Sequence, residues 1–186
     1  MTAVATRLTL EEFLRRPETE PASEFVCGEV IPKPMPNAFH GAIVMYLGHL
    51  LLSHILPRKL GWVLTETRHA DSAENRSYLP DVSVLLRRPG GPSSLVLGPL
   101  WFPPDLAVEV SSPDDRPTRI ADKLAFYLRA GVPLVWIIDP EERSLVAYRP
   151  GQQPEYFRHE GSVSGDPVLP GLILDLAGLF SVLEAE

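Results

Sequence analysis

The sequence predicts an α/β protein in which a mixed sheet is flanked by helices. Three observations predict it. Short alternating or wholly apolar runs near residues 62–69, 79–86, 106–111 and 134–138 read as strands. Two longer stretches, 38–56 and 118–130, carry apolar residues at helical spacing. The order strand, helix, strand across 106–138 has the form of a βαβ unit, whose crossover is expected to be right-handed.

The elements follow in order. Thr9 with Glu12 three residues later forms a capping box, opening a short helix over 10–16 that Pro17 stops. Residues 24–31 read as a strand or hairpin with Gly28 at the turn. Pro32-Lys33-Pro34-Met35-Pro36 is an extended connector, because proline lacks the N–H that a helix or central strand needs. Residues 38–56 make the longest helix, buried along Ile43, Leu47, Leu50 and Leu51 and ended by Pro57. The span 87–104 holds five prolines and three glycines and reads as a loop. Loops of that length are often functional. The helix over 118–130 is expected to bury Ile120, Leu124 and Leu128, with Gly131 just past its end. Residues 134–138 form a buried strand, Asp139-Pro140 a turn, and 144–149 with 155–158 a hairpin. Asp175 caps a last helix ending near Leu183. The expected organisation is one domain: an N-terminal helix and hairpin (8–36), a core (37–140), and a C-terminal hairpin and helix (141–186).

A chain of 186 residues can bury a core without staples. The single cysteine, Cys27, excludes an intrachain disulfide, fits a reducing cytoplasm, and reads as a small strand hydrophobe. A net charge of −7 argues against a protein that coats nucleic acid by charge alone, and against a polybasic membrane binder. Residues 42–56 are interrupted by His49, Ser53 and His54 and fall short of the ~20 apolar residues of a membrane span. The first residues lack the apolar core of a signal peptide. The expectation is a soluble, cytoplasmic protein with no membrane partner. Fourteen arginines stand against three lysines, so chemistry that needs a lysine has only Lys33, Lys59 and Lys123 to use. Lys33 lies in the proline connector and Lys59 just past a helix end, which leaves Lys123 as the one placed for chemistry.

Two strands carry an acid on the face turned away from their valines. In Leu79-Pro80-Asp81-Val82-Ser83-Val84, Asp81 and Ser83 share one face. In Leu106-Ala107-Val108-Glu109-Val110-Ser111, Glu109 lies between Ala107 and Ser111 on the face opposite Val108. An ionised carboxylate among apolar neighbours is costly unless it is paired or bound to a cation. If the strands are neighbours, the two acids converge, repel, and raise one pKa. A divalent cation resolves that conflict, and hard oxygen ligands favour Mg²⁺ or Mn²⁺. Such an ion can activate water and stabilise charge on a phosphoryl oxygen. Lys123 lies on the following helix, on a stripe with Arg119 and Tyr127, and could orient the water or offset transition-state charge.

The order Pro80-Asp81, then Glu109-Val110-Ser111, then Asp122-Lys123 through Tyr127 to Gly131-Val132, then Val135-Trp136-Ile137-Ile138-Asp139-Pro140 resembles the PD-(D/E)XK nuclease superfamily. More narrowly it resembles a family of small stand-alone bacterial restriction-endonuclease-like proteins. Glu24, Gly28-Glu29, His40 and Pro170-Gly171-Leu172 match that family's pattern too, and the likeness covers nearly the whole chain. The resemblance implies a restriction-endonuclease-like core and a Mg²⁺- or Mn²⁺-dependent endonuclease acting on DNA. It implies Asp81 and Glu109 as metal ligands, the Val110 carbonyl as a third, and Glu24 assisting from the N-terminal region. The superfamily's usual lysine, two residues after the second acid, is Ser111 here. The narrower family is similar in drawing its lysine from the next helix, where Lys123 stands. A homodimer is expected, since cutting both strands often pairs two sites.

Simpler readings compete. Asp81 and Glu24 could each pair with an arginine, Lys123 could be a solvated helix lysine, and His40 could serve only the open end of its helix. The Arg87, Arg88 and Trp101 loop could touch a nucleic-acid backbone or stack a base. The alternative of another class is an inactive nuclease-fold module for DNA binding or protein assembly, motivated by Ser111 and the negative net charge.

Overall fold

The computed structural model describes residues 8–89, 91, 93–112 and 115–184. The elements run α1 Leu10–Leu14, β1 Ser23–Val26, β2 Glu29–Pro32, α2 Ala38–Ile55, β3 Gly61–Thr65, β4 His69–Asp71, β5 Arg76–Tyr78, β6 Val82–Leu86, β7 Leu106–Val110, α3 Pro117–Arg129, β8 Leu134–Asp139, β9 Ser144–Tyr148, β10 Glu155–Arg158, β11 Ser162–Ser164, β12 Ile173–Asp175 and α4 Leu176–Ser181. The main sheet has six strands in the order β10-β9-β8-β7-β6-β3, with β7 and β8 parallel and the other pairs antiparallel. The predicted βαβ unit is therefore β7-α3-β8, and the sheet is mixed as expected.

Local chemistry explains the boundaries. The Thr9 side chain accepts from the Glu12 amide and Glu12 returns a carboxylate to the Thr9 amide, closing the capping box. Asn37, not His40, caps α2, accepting from the His40 amide; this frees the His40 imidazole to turn elsewhere. Asp175 caps α4. The Asp139 carboxylate accepts from the Glu141 and Glu142 amides, which makes the predicted turn.

The main sheet is covered on both faces. On one side Val82, Val84, Val108 and Trp136 pack against Ile43, Leu47, Leu51 and Ile55 of α2 and Leu179 and Phe180 of α4. On the other, Ala107 and Val135 pack against Phe126 and Tyr127 of α3 together with Tyr78. β7 is buried at every residue. The helix α2 has 18 residues and is long and apolar enough, on those two measures, to cross a membrane; core helices pass the same test, and its inner row is packed against the sheet.

Four expectations are corrected. The strand expected over 62–69 is two strands in two sheets. The chain breaks at Glu66, a non-glycine residue with φ 48°, and β4 joins a separate four-stranded sheet of order β2-β1-β5-β4. The strand expected over 79–86 begins at Val82, because Pro80 has no N–H to give a ladder. In α3 the buried residues are Phe126 and Tyr127, while Ile120, Leu124 and Leu128 are only half-buried. The helix is rotated because the sheet beneath it presents Glu109, and the stripe bearing Lys123 and Tyr127 satisfies that acid. Cys27 is an exposed turn residue with φ 49°, not a strand hydrophobe.

Candidate functional site

The register of β6 on β7 sets Val82 opposite Val108, so Asp81 and Glu109 come from facing positions on neighbouring strands. Both are buried and both line one pocket, together with Lys33, His40, Ser111 and Lys123. The convergence expected from the sequence is therefore present. Because Asp81 precedes the first regular residue of β6, its side chain is free to accept from the Val110 amide at 2.7 Å through Oδ2.

Each acid is matched by cationic groups. Lys33 Nζ lies 2.8 Å from Asp81 Oδ1. His40 Nε2 lies 3.2 Å from Asp81 Oδ2. Lys123 Nζ lies 2.8 Å from Glu109 Oε2 and 2.8 Å from Glu24 Oε1. The Tyr127 hydroxyl donates to the other oxygen of Glu109. Glu24 comes from β1, where Phe25 packs inward beneath α1 and the alternation turns Glu24 toward α3. Its second oxygen accepts from Arg119 at 3.1 Å, and Arg119 also donates to the Pro32 carbonyl, tying α3 to the end of β2. Glu24 sits behind Lys123, outside the residues that line the pocket.

The ionisation states follow from this packing. Burial pushes the Asp81 carboxyl up, but the His40 hydrogen bond and the Lys33 charge outweigh it and hold Asp81 well below the usual carboxylate range. Burial also opposes Glu24, and Lys123 overcomes it, so Glu24 is lowered. Burial dominates at Glu109, with Asp81 and Glu24 adding repulsion, and its carboxyl is raised to about 7. The Lys123 ammonium resists burial because Glu109, Glu24 and Asp81 surround it, and its pKa rises. Lys33 is raised against burial by Asp81 and Glu109. Burial and the Glu109 charge push the Tyr127 hydroxyl up, so it stays a donor.

Glu109 supplies a pH prediction. Its folded pKa of about 7 lies above the ordinary 4.5, so the stability it contributes is full below 4.5 and is lost as pH rises through about 7. In metal-free buffer, the stability of Glu109→Gln relative to wild type should therefore shift in the variant's favour by roughly 3 kcal/mol over that window. Urea melts at a series of pH values measure it; a flat difference, or a shift the other way, would contradict the assignment.

The donor set fits a hard divalent cation. Asp81 and Glu109 offer adjacent carboxylate oxygens in a pocket, and those oxygens already face ammonium groups at 2.8 Å, so their positions are cation positions. Among the described residues no group of three or more His, Cys, Asp or Glu side chains is placed to hold a metal. Two carboxylates, a main-chain oxygen and water form the kind of shell that Mg²⁺ accepts. The Val110 amide is spent on Asp81.

The structure brings together Asp81, Glu109, Lys123, Glu24 and Val110, all picked out in the sequence. It also brings in Lys33, which the sequence reading set aside as part of a proline connector, and Glu66, which it read only as one residue of the strand over 62–69. Lys33 Nζ bridges Asp81 to both Glu66 oxygens, at 2.8 and 2.9 Å. The signal for Lys33 was the scarcity of lysine. The Arg87 and Arg88 loop does not join the site: Arg88 is paired with Asp105, and the Arg87 guanidinium lies 4.7 Å over the Trp62 ring. Trp101 is exposed.

A mixed sheet packed between helices, with two carboxylates and a lysine converging at adjacent strands, defines a restriction-endonuclease-like protein. The chain belongs to the Uma2 family, whose model is described as a putative restriction endonuclease and matches residues 10–177. It is also similar to a crystal structure described as a putative nuclease belonging to DUF820 from Anabaena variabilis, at 33% identity and a TM-score of 0.84, over 95% of this chain and 99% of that one. No curated protein matches the chain.

Proposed function

We propose that this protein is a metal-dependent endonuclease that hydrolyses DNA phosphodiester bonds. Family membership supports the nuclease class. The observation that carries the finer reading is the pair of buried carboxylates on facing strands, each held against a lysine ammonium in one pocket. Asp81 and Glu109 would hold Mg²⁺ or Mn²⁺, with the Val110 carbonyl as a third ligand. A divalent ion bound there supplies a water of lowered pKa and positive charge beside the phosphoryl oxygen.

The chain's own groups do the rest. Lys123 stays charged, orients the attacking water, and offsets charge that develops on the phosphate. Glu24 acts through Lys123, fixing its position from behind with Arg119 as the counter-charge. Tyr127 holds Glu109 by hydrogen bond, so the acid cannot turn away from the pocket. Arg68, Arg76, Arg88, Arg119, Arg129, Arg143 and Arg149 are each in an ion pair with an acid. These pairs neutralise half of the fourteen arginines, and with a net charge of −7 DNA binding should be weak and rest on few phosphate contacts.

The test is to incubate the protein with plasmid and single-stranded DNA in Mg²⁺ and Mn²⁺ beside an Asp81→Ala/Glu109→Ala control. Metal-dependent cleavage absent from the control is expected. Equal traces of nicking in both, independent of metal, would overturn the proposal and favour the inactive-module alternative.

A further inference from the structure

Lys33 occupies an unusual place for a residue in a proline-rich connector. Its side chain is only 11% exposed. The ammonium faces four acceptors: Asp81 Oδ1 at 2.8 Å, the two Glu66 oxygens at 2.8 and 2.9 Å, and the Leu79 carbonyl at 2.9 Å. An ammonium has three N–H groups, so these contacts saturate it. The Asp81 carboxylate is almost wholly buried, and a buried carboxylate needs a counter-charge at all times. Lys33 supplies it, from the oxygen opposite the one that the Val110 amide and His40 engage.

Glu66 supplies the second half of the arrangement. It sits where the chain leaves β3, in a left-handed backbone conformation that residues other than glycine rarely adopt, and that bend brings its carboxylate to Lys33. Its side chain is half exposed. Both of its oxygens engage Lys33, so the ammonium has a complete carboxylate partner even without Asp81.

From this geometry we propose that Lys33 is the resident counter-cation of Asp81: a divalent ion must displace it from Oδ1, and Glu66 keeps the displaced ammonium beside the site. The proposal rests on the reading of Asp81 as a metal ligand and adds the competitor that sets how tightly the metal binds. It makes Lys33 a positioning residue whose removal should strengthen metal binding. Loss of a merely structural contact would loosen the pocket and weaken it, so the sign of the effect separates the two.

The test is calorimetric titration of Mn²⁺ into the full chain at neutral pH, comparing wild type with Lys33→Met and Lys33→Gln, each first checked by thermal melting. Lys33→Gln can still donate to Glu66 and the Leu79 carbonyl, so it decides the matter if Lys33→Met does not fold. Both variants are expected to bind Mn²⁺ about tenfold or more tightly than wild type, because a unit positive charge beside the ion is gone. Affinity that is unchanged or weaker, or no Mn²⁺ binding in any of the three proteins, would overturn the inference. Tighter binding without DNA cleavage by wild type would leave it standing while the endonuclease reading falls. Cleavage by wild type with no gain in affinity would do the reverse.

Discussion

Replacing Lys123 with methionine should cost about 3–5 kcal/mol of folding stability at neutral pH, the usual penalty for stripping one partner from a buried ion pair. Methionine fills much of the same space, so packing is not the cause. Lys123 stands 2.8 Å from both Glu24 and Glu109, and each of those acids is buried. Without the ammonium, Glu24 keeps Arg119 but Glu109 keeps only the Tyr127 hydroxyl. Glu109, already raised to about 7 beside the ammonium, would be driven further up and must either take up a proton or stand charged near Glu24. In a chain of this size the loss should lower the melting temperature by roughly 10 °C. Adding Glu109→Gln should recover part of it, because a neutral amide needs no counter-charge. A change below about 1 kcal/mol would return Lys123 to the status of a solvated helix lysine.

Asp81→Asn should lower DNA cleavage on the order of 10³-fold or more, in the range of losing a centrally placed electrostatic group. Folding should survive, since the asparagine oxygen can still accept from the Val110 amide, and Lys33 retains both oxygens of Glu66. Mn²⁺ binding should fall with the cleavage rate. Initial rates on supercoiled plasmid, measured beside a thermal melt, separate the chemical loss from unfolding. A variant within tenfold of wild type would remove Asp81 from the centre.

The parts of this molecule written in periodic patterns were legible. Strands β6, β7 and β8 follow from valine and isoleucine runs, and the alternation in β7 by itself placed Glu109 on the face that meets α3. The two acids of the candidate centre, Asp81 and Glu109, could be read this way, because acids in greasy strands are conspicuous; Glu24 and Val110 came only from the family resemblance. The parts set by tertiary balance were not. α3 presents two credible faces, and the aliphatic one with Ile120 and Leu124 has the stronger pattern. The Lys123 and Tyr127 face won because Glu109 lies beneath it. Glu66 interrupts an alternating run with a backbone turn that no local residue announces. Lys33 carries no periodicity, since prolines on either side erase it. Its role emerges only when the connector after β2 lies across the mouth of β6.

The most direct test of the account is a crystal of the protein soaked in Mn²⁺ and examined for anomalous scattering. A peak between the Asp81 and Glu109 carboxylates, with Lys33 withdrawn from Asp81 Oδ1 onto Glu66, is the result expected. No peak there at saturating Mn²⁺, with both lysines still on their carboxylates, would contradict it.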